Sequence, residues 1–131
     1  MLKFEDIEKI DKSGMYLEIK RMYSQIKKSL DMIDDFNFSI DTSYNNIIIN
    51  GMGGSAIGGE FVSSVLKYDL NIPIYVNRTY DLPKWVNSNT LVIICSYSGN
   101  TEETISCYNS CISRGLSPLI ITSGGFLLDE A

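Results

Sequence analysis

Among its 131 residues the chain has no histidine, three prolines, three cysteines and one tryptophan. Without histidine it lacks the commonest general acid–base group near neutral pH, and a cysteine-based metal site has no imidazole to complete it. Cys95, Cys107 and Cys111 suggest no disulfide framework. Cys107 and Cys111 share a helix face at i, i+4, and all three read as small buried residues of a reduced protein. Positive charge is also scarce, with 11 Lys and Arg against 16 Asp and Glu and a net charge of −5. That balance argues against nucleic acid or an anionic membrane as the main partner. No apolar run approaches bilayer length, and no basic segment with an apolar stretch opens the chain, so the expected setting is the cytoplasm. Any anion bound here must be captured by local amides and hydroxyls.

Apolar periodicity then organises what is present. Met15, Ile19, Met22, Ile26, Leu30 and Ile33 recur at helical spacing, predicting an amphipathic packing helix over about 13–35, with Lys20, Arg21, Lys27 and Lys28 on the wet side. A polar stretch, 37–45, separates an N-terminal helical segment, 1–36, from a domain over 37–131. Within that domain, four β-branched runs predict strands: Asn46–Asn50, Ile72–Val76, Thr90–Cys95 and Pro118–Thr122. Helices are expected over Ala56–Tyr68 and about Thr101–Arg114, the second stopped by Gly115. The segment 81–86 reads as a connector with at most one helical turn. A last helix opens at Phe126. Such strand–helix alternation predicts an α/β fold with a doubly wound parallel sheet. Ending inside that helix, the chain reads as a piece that stops before a further strand.

Two segments carry chemistry. Gly51-Met-Gly-Gly-Ser-Ala-Ile-Gly-Gly59 follows the first strand, and Ser96-Tyr-Ser-Gly-Asn-Thr-Glu-Glu-Thr104 follows the third. Amides at a helix start, with glycines and hydroxyls, make an anion site, and ligands of such sheets lie beyond the carboxyl ends of the strands. The first segment alone also fits a dinucleotide turn. However, Asn77-Arg78 stands where that site wants an acid, and at best suits the 2′-phosphate of NADP. The second segment favours a phosphate monoester, because Ser96, Ser98, Thr101 and Thr104 offer several hydroxyls to its oxygens. Glu102 and Glu103 read as dipole-compensating residues, with Glu103 capping the Asn100 amide. Arg78 and Lys84 read as solvated charges, Tyr80 and Trp85 as packing over the sheet edge. Ser123-Gly124-Gly125 is placed to close the rim of the same pocket.

These segments, with Arg78-Thr-Tyr-Asp-Leu-Pro-Lys-Trp-Val86 and Ser123-Gly-Gly125, resemble the sugar isomerase (SIS) domain. The closest resemblance is to the N-terminal half of bifunctional phosphoglucose/phosphomannose isomerases. The resemblance implies a flavodoxin-like three-layer α/β/α fold and a sugar phosphate as partner. It implies phosphate contacts from Gly53, Gly54, Ser55, Ser96, Ser98 and Thr101. The implied reaction is aldose–ketose interconversion of glucose, mannose and fructose 6-phosphates through a cis-enediol, with no metal and no cofactor. It further implies a homodimer or pairing with a second SIS domain, with a base glutamate, a ring-opening histidine and a further phosphate-contacting arginine beyond this chain. No catalytic residue is assigned here, and the 131 residues alone are expected to be inactive. A regulatory SIS module that senses a sugar phosphate remains the alternative, with an NADP-binding domain behind it.

Overall fold

The computed structural model describes residues 4–33 and 44–131. Two compact units divide the chain, Met1–Ile40 and Asp41–Ala131. In the first, a short helix not foreseen from the sequence, α1 (Phe4–Ile10), precedes α2 (Met15–Ile33). The break between them is fixed by Asp11, whose carboxylate accepts from the Met15 and Tyr16 amides at 2.9 and 2.7 Å. Those bonds, Tyr16's first, hold the Asp11 carboxyl below its ordinary value. α2 has the expected apolar stripe, yet none of its residues is buried, so that stripe is exposed. Asp34 and Asp35, most of the polar stretch 37–45 and the expected boundary at 36/37 lie outside the described residues.

In the second unit, β1 (Asn46–Gly51), α3 (Gly53–Leu66), β2 (Ile74–Asn77), β3 (Thr90–Ser96), α4 (Glu102–Ser113), β4 (Leu119–Thr122) and α5 (Phe126–Asp129) follow in order. The four strands form one all-parallel sheet in the order β2-β1-β3-β4. From β1 the chain steps outward one way, and from β3 the other. Right-handed crossovers therefore put α3 and α4 on opposite faces. Packing agrees: Gly59 of α3 lies against Ile49 and Val76, whereas Tyr108 and Cys111 of α4 join Ile48, Val92 and Ile94.

The α4 face holds the main core. Thr90, Val92, Ile94 and Ser96 alternate inward along β3, and Leu82, Val86 and Leu127 close the cluster from connectors and α5. Each large apolar side chain removed from water there contributes roughly 1.5–3 kcal/mol. The segment 81–86 forms a turn rather than a helix. It is clamped by Arg114, whose guanidinium donates to the carbonyls of Leu82 (2.8 Å) and Pro83 (2.9 Å). α4 ends as expected: Gly115 (φ 67°) donates to Ile112 O at 3.0 Å and Leu116 to Cys111 O at 2.9 Å. This pair of bonds satisfies the last carbonyls of the helix.

Two expectations need correction. Rather than at Ala56, α3 starts at Gly53, and it buries only Ala56 and Gly59, leaving Ile57, Phe61, Val62 and Val65 exposed. Its contact with the sheet is glycine-mediated, since a Cβ on Gly59 would fall 2.9 Å from Ile49 Cγ2. β2 starts at Ile74 rather than Ile72, because Pro73 has no N–H and pairs only through its carbonyl, which accepts from Ile47 at 2.9 Å.

The described cysteines are free, with Cys107 and Cys111 buried in α4. Burial pushes both thiols up, Cys111 from 9.0 to about 11. In the unfolded chain the thiol ionises first, so its contribution to stability is intact below pH 9.0 and lost as pH climbs toward about 11. At pH 8 neither α4 thiol should react with an alkylating reagent until urea unfolds the domain. Rapid labelling of the native protein would contradict this packing.

Candidate functional site

Residues Gly51 and Cys95 are register partners, so β1 and β3 end level and their following segments emerge side by side. This is where the strand order reverses, the position at which open α/β sheets bind ligands. Gly51 is tightly packed: a Cβ there would lie 3.2 Å from Ala56 N, Ser55 C and Cys95 O, closer than ordinary van der Waals contact. Met52 is extended, and Gly53, with φ of 49°, turns the chain into α3. Gly53, Gly54 and Ser55 are thus the first helical turn rather than a free loop. The amides of Gly53 and Gly54 precede the first intrahelical bonds, which run from Ser55 (3.0 Å) and Ala56 (3.3 Å) to Met52 O. Such N–H groups attract anions. At Gly54, φ is not in the left-handed region and no atom lies within 4 Å of where a Cβ would be. Nothing in the fold calls for glycine at this position, which borders the cleft.

The hydroxyls of the second segment divide into two kinds. Ser96 is 2% exposed and turned inward. It donates to Thr101 Oγ1 at 3.1 Å and accepts from the Gly99 amide at 3.1 Å. Ser98 is exposed, and its oxygen accepts from the Asn100 amide at 3.2 Å. The Asn100 amide is therefore met by Ser98, not by Glu103 as expected. Thr101 caps α4 and borders the cleft. Because the oxygens of Ser98 and Thr101 already accept a bond, their own protons are left to point outward. Thr104 is buried and donates to Thr101 O at 2.8 Å, so it faces the helix rather than the cleft.

A third segment braces the second from behind. Ser123 donates to Tyr97 O through its amide (3.3 Å) and its hydroxyl, Phe126 N to Asn100 Oδ1 (2.9 Å), and Leu127 N to Gly99 O (3.1 Å). Gly99 and Gly125 both have positive φ, 68° and 69°, and sit backbone on backbone. A Cβ on Gly99 would collide with the Gly124 carbonyl, and one on Gly125 with Ser98 O. Gly99→Ala should therefore lower the unfolding free energy measured by urea titration by at least about 2 kcal/mol and displace the amide resonances of 97–101 and 123–127 together. Wild-type stability with unmoved resonances would contradict the interlock.

Gly54 and Ser55 on one side and Ser98 and Thr101 on the other border one cleft of about 530 Å³, with Met52 and Tyr97 completing its wall. Ser96 and Ser123 instead border an adjoining hollow of about 360 Å³. The sequence reading missed Met52 and Tyr97. Their only signal is bulk in segments otherwise made of small residues. Among the described residues, no Lys or Arg borders the cleft. Arg78 pairs with Glu60 at 3.5 Å on the surface, and Glu102 accepts from Tyr80 OH at 3.1 Å, which raises the Tyr80 phenol. Trp85 packs edge-on against Tyr75 of the edge strand, centroids 5.7 Å apart. Among the described residues no cluster fit for a metal ion occurs, and no helix is long and apolar enough to cross a membrane.

No family model matches the chain. It is 38% identical over 118 residues to a bifunctional phosphoglucose/phosphomannose isomerase of Caldicellulosiruptor bescii, covering 89% of this chain and 35% of that protein. A protein of the same name from Aquifex aeolicus is 47% identical over 91 residues, 69% of this chain and 28% of its own length. D-glucosamine-6-phosphate 4-epimerase of Sulfolobus acidocaldarius is 42% identical over 83 residues, 62% of this chain and 25% of the epimerase. The chain thus spans about a third, or less, of the curated relatives it matches. Among solved structures, a protein of Listeria monocytogenes assigned as a sugar-phosphate isomerase superposes with TM-score 0.58 at 18% identity, over 69% of this chain and 50% of the other. One of Clostridium difficile 630 assigned as a phosphosugar isomerase gives 0.58 at 21%, over 99% and 36%. At those identities the likeness speaks for the α/β fold, while the sequence relatives speak for descent. Over about a third of their length, the chain is thus homologous to proteins named bifunctional phosphoglucose/phosphomannose isomerase.

Proposed function

We propose that residues 37–131 are the first SIS domain of an aldose–ketose isomerase and hold the phosphate of a hexose 6-phosphate. The amides of Gly53 and Gly54 and the hydroxyls of Ser55, Ser98 and Thr101 are the direct donors in this reading. Ser96 acts through Thr101, filling one of its lone pairs so that the Thr101 proton turns to the anion. The observation that carries the proposal is the juxtaposition of two helix starts across one cleft, with a bare glycine at its floor. A dianionic monoester, with several acceptor oxygens, matches converging donors that carry no cationic side chain.

A relative named as an epimerase of glucosamine 6-phosphate shares this segment at 42% identity with the chain. Isomerase and epimerase have the 6-phosphate of a hexose in common and not the bond chemistry, which fits a segment that holds the phosphate. Moving a proton between C1 and C2 through a cis-enediol needs a base, and ring opening needs an acid–base group. The chain has no histidine for the second task. Glu102 is engaged by Tyr80, and a carboxylate beside a bound phosphate is repelled by it. Both catalytic groups therefore come, in this proposal, from a second SIS domain, in a cytoplasmic homodimer.

Calorimetric titration tests the reading. Fructose 6-phosphate and glucose 6-phosphate should bind, and NADPH should not. Thr101→Val should weaken hexose phosphate binding about 10–100-fold, the loss of a hydrogen bond to a charged group. The 131 residues should not convert fructose 6-phosphate to glucose 6-phosphate. Binding of NADPH in place of sugar phosphate, or clear turnover, would contradict the proposal.

A further inference from the structure

Of the six residues that border the cleft, four are small: Gly54, Ser55, Ser98 and Thr101. The other two, Met52 and Tyr97, are the large side chains on its wall among the described residues. Tyr97 is 82% exposed, while the residues on either side of it are committed to the loop: Ser96 is buried and Ser98 accepts from Asn100. Its backbone is held as firmly, with the carbonyl accepting both the amide and the hydroxyl of Ser123. A large aromatic ring is thus carried by a fixed backbone, yet contributes little burial of its own. It borders the adjoining hollow as well, so it stands on the rim between the two. Nothing in the fold explains a tyrosine at this place.

The cleft is also larger than a phosphate. Its volume of about 530 Å³ lies in the range of sites that enclose a small organic ligand, roughly 300–1,000 Å³. If the small residues grip the phosphate, the remainder of the ligand meets only Met52 and Tyr97 on this chain. A tyrosine ring is rigid and amphipathic, and a thioether adapts its shape, so together they offer an apolar wall with one hydroxyl at its edge.

We infer that Tyr97, backed by Met52, is the wall against which the carbon skeleton of the sugar phosphate lies, and that it sets the preference for an organic phosphate over inorganic phosphate. This rests on the phosphate site proposed above. The ring face supplies the contact, so the phenylalanine variant retains it.

The test compares inorganic phosphate and fructose 6-phosphate by titration calorimetry, using the whole chain and the variants Tyr97→Ala, Tyr97→Phe and Met52→Ala. The readout is the ratio of the two dissociation constants. In the wild type the sugar phosphate should bind at least tenfold more tightly than inorganic phosphate. Tyr97→Ala should lower that ratio about tenfold, Met52→Ala by less, and Tyr97→Phe should keep it within threefold of the wild type. An unchanged ratio in Tyr97→Ala, with both ligands still bound, would overturn the role of Tyr97 and leave the phosphate site standing. Failure of the wild type to bind either ligand would overturn both. Loss of the ratio in Tyr97→Phe would overturn the ring-face contact in favour of the phenolic hydroxyl.

Discussion

The level pairing of β1 with β3 is the constraint on which the candidate site depends. Gly51 opposite Cys95 brings the start of α3 and the start of α4 to the same height, on opposite faces of one sheet. Slip that register by one residue and every inward side chain of β3 would face the other layer. The continuous β-branched run of β1 is suited to a strand covered on both faces. Gly51 allows the backbones of α3 and β3 to close to contact distance above it. Everything chemical in the chain follows from that proximity.

A second layer of constraint braces the segment that follows β3. The backbone of 97–100 is hydrogen-bonded to 123–127, and two left-handed glycines make room for that contact. Below it, Asn50 and Asn77, register partners at the carboxyl ends of β1 and β2, join through a buried hydrogen bond, Asn77 Nδ2 donating to Asn50 Oδ1 at 2.9 Å. Asn77 also donates to Asp81 O at 3.1 Å and toward Cys107 Sγ at 3.5 Å. That network ties the β2–β3 connector to α4, the helix whose first turn borders the cleft. Asn50, Asn77 and Ser96, buried near the carboxyl ends of β1, β2 and β3, are satisfied within the fold, which leaves the hydroxyls of Ser98 and Thr101 for a ligand.

Much of this is legible in the residues themselves. The β-branched runs give the strands, Gly115 gives the end of α4, and the two glycine–hydroxyl segments give the site. What the sequence hides has physical causes. Gly53-Gly54-Ser55 has the propensity of a loop, but α3 starts there because Gly53, at φ 49°, turns the chain and the Ser55 and Ala56 amides donate to Met52 O. Ile57, Phe61 and Val65 look like a core stripe, yet the side of α3 that meets the sheet is its small one. Ser96 and Ser98 look alike in sequence. The parity of β3 separates them: Thr90, Val92, Ile94 and Ser96 all point to the α4 face, so Ser96 is turned inward and Ser98 is exposed. Tyr97 was passed over because an exposed aromatic residue carries no periodic signal.

The central claim is that two segments far apart in sequence hold one phosphate. Amide-resolved NMR titration of the chain with fructose 6-phosphate tests it most directly. The account predicts one binding event, with the amides of Gly53–Ser55 and of Ser98–Thr101 shifting along a single saturation curve. Shifts confined to one segment, or two segments saturating with different affinities, would contradict it.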